Sequence, residues 1–226
     1  MRILIIGHGR MGQLVERLAP AHGCEVAGIA DIEPPLAAAL AAAGTVDVAI
    51  DFSWPDAVSG HVGMLAARGV SVVIGTTGWQ AHEAALRTIA ANAGIGVLAS
   101  ANFSIGMNIF RHLVEEAART FAAVDDVGAW IHEKHHDKKQ DAPSGTALLL
   151  RAAMDEGGYP RRVDISSTRA GSIPGLHEVG FDGPSETVTL THTVRDRAVF
   201  AHGALEAAKW LRGRQGWFTM RDMIRG

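Results

Sequence analysis

Short apolar runs alternate with amphipathic stretches along the first hundred residues, and the alternation predicts strands and helices in turn. Met1 to Ile6 has the length and apolar character of a strand and stops at Gly7. Arg10 to Ala21 follows, with Leu14, Val15 and Leu18 at the spacing of one buried helix face. Cys24 to Ala30 predicts a second strand, ended by Asp31. After Pro34 and Pro35, Leu36 to Ala43 has room only for a short helix closed by Gly44, before a strand over Asp47 to Phe52. The series continues as a helix over Pro55 to Arg68, a strand over Ser71 to Ile74, a helix over Gln80 to Ala93 and a strand over Ile95 to Ser100. Such alternation implies a parallel sheet covered by helices on both faces.

Beyond Phe103 the pattern changes. A helix is expected over Asn108 to Phe121, a strand over Val127 to Glu133, then a charged loop and a helix from Ser144. Glu186 to Val194 sets Thr187, Thr189, Thr191 and Thr193 against Val188, Leu190, His192 and Val194, the period of a strand with one packed face and one open to a partner. The helix Ala204 to Leu211 and the stretch Trp217 to Ile224 carry aromatics that need burial. The expected fold is α/β: a Rossmann-type doubly wound parallel sheet over 1–103, with 199–226 packing back on it, and a second α+β domain with a mixed sheet over 104–198.

Composition narrows the function. With 226 residues, 47% of them hydrophobic, the chain can bury a sizeable core. A net charge of -3 and the lack of a long basic run remove any general electrostatic reason to bind nucleic acid or an anionic membrane. The run Ile3 to Ile6 is too short for a signal-peptide core or a spanning helix. Cys24 is the single cysteine, so no intrachain disulfide can form; a small buried hydrophobe in a reducing cytoplasm is expected.

Gly7-His8-Gly9-Arg10-Met11-Gly12, between a predicted strand and a predicted helix, fits the dinucleotide fingerprint. Gly7 permits the tight turn, Gly9 lets the backbone approach a pyrophosphate, Gly12 allows close helix packing, and the helix start supplies amides and a positive dipole. Asp31 follows about 20 residues on, where a carboxylate binds the adenosine ribose hydroxyls. Asp31 would repel a 2′-phosphate and Ile32 offers no cation, which leans toward NADH, while Arg10 offers some attraction to NADPH. Gly75, Thr76 and Thr77 leave one strand end, with groups for the nicotinamide ribose and carboxamide; Ala101, Asn102 and Phe103 leave another and bound the nicotinamide pocket. Asp51-Phe52-Ser53 lies at a third, where Asp51 also suits a helix cap.

The stretch His132 to Thr146 can be read in two ways. Its first five residues match HExxH, which on a helix would offer His132 and His136 to zinc. Val127 to Ile131 is strand-like, however, and Asp137 to Pro143 is a polar, proline-terminated loop, so no single helical face is expected and no metal. The other reading sets His135 and Lys139 on a loop that runs into a helix start at Ser144-Gly145-Thr146. Helix amides, the Thr146 hydroxyl and the Lys139 ammonium then hold a carboxylate, while His135 or His136 moves a proton near neutral pH.

Over nearly its whole length the chain resembles the 4-hydroxy-tetrahydrodipicolinate (dihydrodipicolinate) reductases of the lysine and diaminopimelate pathway. The resemblance rests on the glycine motif, Asp51-Phe52-Ser53, Gly75-Thr76-Thr77-Gly78, Ala101-Asn102-Phe103-Ser104, and above all His135-His136 leading to Lys139-x-Asp141-Ala142-Pro143-Ser144-Gly145-Thr146-Ala147. It implies an NAD(P)H-dependent enzyme acting on a small cyclic dicarboxylate. His135 is then the catalytic acid and Lys139 its partner at the substrate. His136 is a substrate contact, and the helix start at Ser144, with Gly145 and Thr146, binds a substrate carboxylate. It also implies a homotetramer built through the sheet of the second, substrate-binding domain. Arg169-Ala170-Gly171, Gly175 and His177 match a further family segment, read here as a structural turn. Two departures stand out: the short stretch from Asp31 to Asp51, where longer relatives have a further helix or strand, and Lys138, which makes the loop more positive. Competing readings are an aspartate-dehydrogenase-like enzyme and a non-catalytic NAD(H)-sensing module.

Overall fold

A computed structural model describes residues 1–225. They form two compact units: Met1–Ile105 together with the chain from Ala198 onward, and Gly106–Arg197.

The first unit contains β1 (Arg2–Ile6), α1 (Arg10–Leu18), β2 (Glu25–Ala30), α2 (Leu36–Ala43), β3 (Val48–Asp51), α3 (Pro55–Ala66), β4 (Ser71–Ile74), α4 (Glu83–Ala93) and β5 (Gly96–Ala99). Six strands make one parallel sheet; its order, with the late strand Gly216–Phe218 at one edge, runs from that strand through β5, β4, β3 and β1 to β2. The strand period of two divides the core between the faces. Leu4, Ile6, Ala49, Val72, Ile74 and Val97 pack on one side with α2, α3 and α4, while Ile3, Ile5, Val48, Ile50, Val73 and Leu98 pack on the other with α1 and a later helix. The expected α1 extension to Ala21 is instead a 3-10 turn over Ala19–His22 closed by Gly23, because Pro20 removes a backbone donor. β2 forms an edge, and only α2 lies between it and β3, so the short stretch after Asp31 leaves no strand outside β2.

The second unit begins in α5 (Ile105–Phe121), followed by β6 (Gly128–His135), α6 (Gly145–Glu156), β7 (Val163–Arg169), β8 (Leu176–Asp182) and β9 (Thr187–Thr193). Its mixed sheet is ordered β7-β6-β8-β9, parallel between β6 and β7 and antiparallel elsewhere. Met107, Phe110 and Val114 of α5 and Leu150 and Met154 of α6 bury Ile131, Val179 and Phe181 of the sheet. β6 runs two residues beyond the expected Glu133, because Lys134 and His135 pair with Thr168 and Arg169 of β7. His135 is therefore the last residue of a strand rather than part of a loop. On β9 all four threonines are exposed, whereas Leu190 and His192 are half-buried.

The chain then completes the first unit with α7 (Ala198–Leu211), β10 (Gly216–Phe218) and α8 (Met220–Arg225). α7 starts six residues earlier than Ala204 and lays Ala201, Ala204, Leu205, Ala208 and Leu211 on the sheet. β10 pairs with β5, which brings Trp217 to Trp79 with ring centroids 6.0 Å apart.

Candidate active site

In the first unit the chain leaves β1 for β2 on one side and returns to β3 on the other, so a crevice opens at the carboxyl ends of β1 and β3. A cavity of about 640 Å³ lies there, lined among others by Gly7, His8, Gly9, Asp31, Ile32, Ser53, Trp54 and His61. Gly7 turns with φ +84°, its amide donates to the Ala30 carbonyl at 2.8 Å, and a Cβ there would lie 2.6 Å from the Phe52 carbonyl oxygen. At Gly12 a Cβ would come within 2.0 Å of the Gly7 carbonyl oxygen. Gly9 has nothing within 4 Å of that position and gives α1 no side-chain cap, which leaves the helix's first amides and dipole for an anion.

Asp31 holds this loop: its carboxylate accepts the His8 amide and the Ile32 amide, each at 2.9 Å. Asp51 is wholly buried and accepts from the Ser53 amide at 2.9 Å, the Ser53 hydroxyl at 2.6 Å and the Thr76 hydroxyl at 3.2 Å, with His61 Nδ1 at 2.8 Å. It thus fastens the loop after β3 rather than capping α3, whose N-cap is Trp54. The Phe52 ring fills the space beside Gly75, Thr76 is buried and Thr77 is exposed. Ala101 is exposed, and the Asn102 side chain accepts the Ser104 amide at 2.8 Å. Phe103 is buried against Phe52, so only its backbone can meet a ligand. Arg10 is exposed, and Met11 packs partly into the core. His61 on α3 escaped the sequence reading; its place six residues after Pro55 carries no local signal.

The second unit gathers its polar groups around Glu133. Alternation along β6 sets Glu133 and His135 on one face and His132 on the other, where His132 Nε2 meets the Thr168 hydroxyl at 3.1 Å. His132 and His136 therefore do not make a zinc pair. Among the described residues, ligand atoms of metal spacing belong instead to Glu133, His135 and His177, within 4.8 Å of one another. The Arg169 guanidinium already sits on that carboxylate, so the cluster carries its own cation.

Oε1 of Glu133 accepts from the Ser144 amide at 2.9 Å, the Ser167 hydroxyl at 2.6 Å and Arg169 Nη2 at 2.7 Å. Burial pushes its pKa up, but those hydrogen bonds outweigh burial and bring it to about 2. Oε2 has no hydrogen-bond partner; it lies 3.1 Å from His135 Nδ1 and 3.7 Å from His177 Nε2. The rings of His135 and His177 meet edge to face at 5.1 Å. Burial lowers the pKa of His135; Glu133 opposes that shift, while Lys139, Arg169 and His136 add to it. Burial also carries His177 down to about 4.

Ser144 caps α6 by accepting the Ala147 amide at 3.1 Å. Lys139 lies on the Asp141 carboxylate at 2.7 and 2.8 Å, and this pair, with a backbone hydrogen bond from Gly145, lowers the Asp141 pKa. Gly145 is exposed and open, Thr146 is half-buried, and His136 Nδ1 is buried without a partner. The structure thus brings Ser144 to the His135 face through Glu133, and it sets Lys139 on Asp141. Glu133, Arg169 and His177 were missed as members of this cluster. Alternation to His135 would have shown Glu133 on the same face, whereas Arg169 and His177 arrive by strand pairing.

A Rossmann-type sheet with a crevice at its topological break and, in the same chain, a second unit bearing a buried histidine and a capped helix start define a two-unit α/β oxidoreductase. Residues 1–103 match the family described as dihydrodipicolinate reductase, N-terminus, and residues 106–224 match dihydrodipicolinate reductase, C-terminus. The chain is 36% identical to the 4-hydroxy-tetrahydrodipicolinate reductase of Caldanaerobacter subterraneus, over 100% of this chain and 98% of that one. It is 42% identical to the Xanthomonas euvesicatoria protein of the same name, over 99% and 98% of the two chains. The chain belongs to the dihydrodipicolinate reductase family. Its fold is similar to that of a dipicolinate-bound dihydrodipicolinate reductase from Paenisporosarcina sp. TG-14, with a TM-score of 0.81, 22% identity and 97% of each chain covered.

Proposed function

We propose that this protein reduces 4-hydroxy-tetrahydrodipicolinate to tetrahydrodipicolinate with a reduced nicotinamide cofactor, as a step in lysine and diaminopimelate synthesis. The observation that carries this reading is the match of residues 1–103 and 106–224 to the N-terminal and C-terminal halves of one reductase family. Gly7 to Gly12 and Asp31 hold the cofactor, with 75–77 and 101–103 beside them at the same carboxyl edge of the sheet. When bound, the nicotinamide supplies the hydride. Loss of water from the substrate gives a conjugated imine, hydride adds at C4, and the resulting enamine takes a proton. His135 donates that proton. In the free protein burial lowers its pKa, and the arrival of a dicarboxylate adds negative charge that favours the imidazolium. The amides of Gly145 and Thr146, the Thr146 hydroxyl and Lys139, released from Asp141, hold a substrate carboxylate, and His136 contacts the substrate.

NADH is the favoured cofactor, because Asp31 is fixed by two amides and Ile32 beside it brings no cation to a 2′-phosphate. The assembly is a homotetramer built on the second sheet, whose edge strand β9 exposes its threonines and Val188. The location is cytoplasmic, in keeping with the lone buried Cys24. A synthase that makes the precursor, coupled to this protein with NADH and NADPH in separate reactions, tests the activity and the preference. Oxidation of both with higher kcat/KM for NADH is expected; a higher value for NADPH overturns the preference, and oxidation of neither overturns the function. Sedimentation as a monomer overturns the tetramer.

A further inference from the structure

Glu133 is a buried carboxylate whose two oxygens have different surroundings. Oε1 is saturated by donors from three separate segments: the Ser144 amide ahead of α6, the Ser167 hydroxyl within β7 and the Arg169 guanidinium at its end. These contacts fix the plane of the carboxylate. Oε2 is buried and has no hydrogen-bond partner, although His135 Nδ1 lies 3.1 Å away. That nitrogen is itself buried and unpartnered. Two orphaned polar atoms at this distance need only a small rotation of the imidazole to pair, and burial makes leaving both unpaired costly.

We propose that Glu133 is a positioning residue that accepts a hydrogen bond from Nδ1–H of His135 and thereby reserves Nε2 of His135 for proton transfer. This rests on the reading of His135 as the proton donor. The proton count closes. The imidazolium carries protons on both nitrogens; the Nε2 proton goes to the enamine carbon, and the neutral ring keeps Nδ1–H on Glu133. A fixed anion at Nδ1 stabilises the charged ring before transfer and selects one tautomer after it. The same carboxylate holds the Ser144 amide, so the proton donor and the carboxylate-binding turn share one anchor. Through Ser144, a shift of that turn is felt at His135.

The groups that set the His135 titration are Glu133 on β6, His136 and Lys139 after it, Arg169 on β7 and His177 on β8. Glu133 is the one that favours the protonated ring. Glu133→Gln keeps the shape and the Oε1 acceptor but turns an amide N–H toward Nδ1. In the full-length protein we expect turnover to fall about a hundredfold, with cofactor affinity unchanged. The alkaline limb of the kcat profile, where the acid loses its proton, moves to lower pH. A purely structural role for Glu133 would lower the amount of folded enzyme without moving that limb. A folded Glu133→Gln enzyme with wild-type kcat and an unmoved limb overturns the proposal.

Nitrogen NMR of the wild-type imidazole supplies a readout that needs neither the variant nor activity. A neutral His135 protonated on Nδ1 is expected, and one protonated on Nε2 overturns the coupling. Full turnover in His135→Gln would instead overturn the proton-donor reading, and with it the catalytic purpose given to Glu133, whatever the tautomer.

Discussion

In the first unit the glycine loop of six residues offers mainly backbone groups to an anion, and one carboxylate holds that loop. In the second, side chains of β6, β7 and β8 and the Ser144 amide at the α6 cap gather on one buried carboxylate. The first arrangement suits a ligand whose phosphates need amides and a dipole, which any sequence of the right backbone shape supplies. The second suits proton transfer, which needs one titratable ring with its environment fixed on every side. A nearly local site can tolerate change elsewhere in the chain, whereas a site assembled across strands is exposed to changes in any of them.

The contrast is tested most severely by His135→Ala. Turnover should fall roughly a thousandfold in steady-state kinetics while the cofactor dissociation constant stays within a factor of two, roughly. Parallel loss of both would show that the two sites are not separable in this way. Gly12→Val should have the opposite profile. Its added Cβ would meet the Gly7 carbonyl oxygen, so the loop must shift, with about 3 kcal/mol lost in urea denaturation and cofactor binding weakened ahead of any effect on the His135 titration. Unchanged cofactor affinity in a folded Gly12→Val protein would contradict the packing role of that glycine.

Acid should unfold the protein mainly through the second cluster. His177 titrates near its ordinary 6.5 when unfolded and at about 4 when folded, so the unfolded chain binds more protons between those values. Stability is therefore complete above pH 6.5 and falls as pH drops toward 4, by about 3 kcal/mol across the window. His135 and His192, both lowered by burial, steepen the same slope. Glu133, ordinarily at 4.5, continues the loss as pH falls toward about 2, where its folded form takes up a proton. Denaturation series at pH 7 and pH 4 measure this, and His177→Gln should flatten the upper part of the curve; an equal slope in that variant would remove His177 from the account. The smallest effect expected is that of Thr146→Val: KM for the substrate rises about tenfold with kcat little changed, as one hydrogen bond to a carboxylate is lost.

The same contrast explains what could be read from the sequence. Leu36–Ala43 and Ser71–Ile74 occupy the expected residues, because prolines and glycines bound the first and the second is a compact apolar run between loop residues. The glycine loop was legible for the same reason: six consecutive residues and Asp31 contain its logic. β7 went unread because Asp164, Ser166, Ser167 and Thr168 give it no apolar run, and only pairing with β6 makes it a strand. β6 was cut short at Glu133 because Lys134 and His135 are polar and their strand conformation is also set by pairing. With β7 hidden, and β8 (Leu176–Asp182) likewise not predicted, the meeting of Glu133 with Arg169 and His177 was hidden too, and the charged stretch pointed only to His135 with Lys139. The helix start at Ser144, whose cap depends only on its own turn, was visible throughout.

The most direct test of the whole account is the oxidation of NADH in the presence of freshly formed 4-hydroxy-tetrahydrodipicolinate, with wild-type protein and His135→Ala measured side by side. Steady oxidation by the wild type, dependent on the substrate and nearly abolished in a variant that still binds NADH, is the predicted result. No substrate-dependent oxidation by folded, cofactor-bound wild-type protein would contradict it.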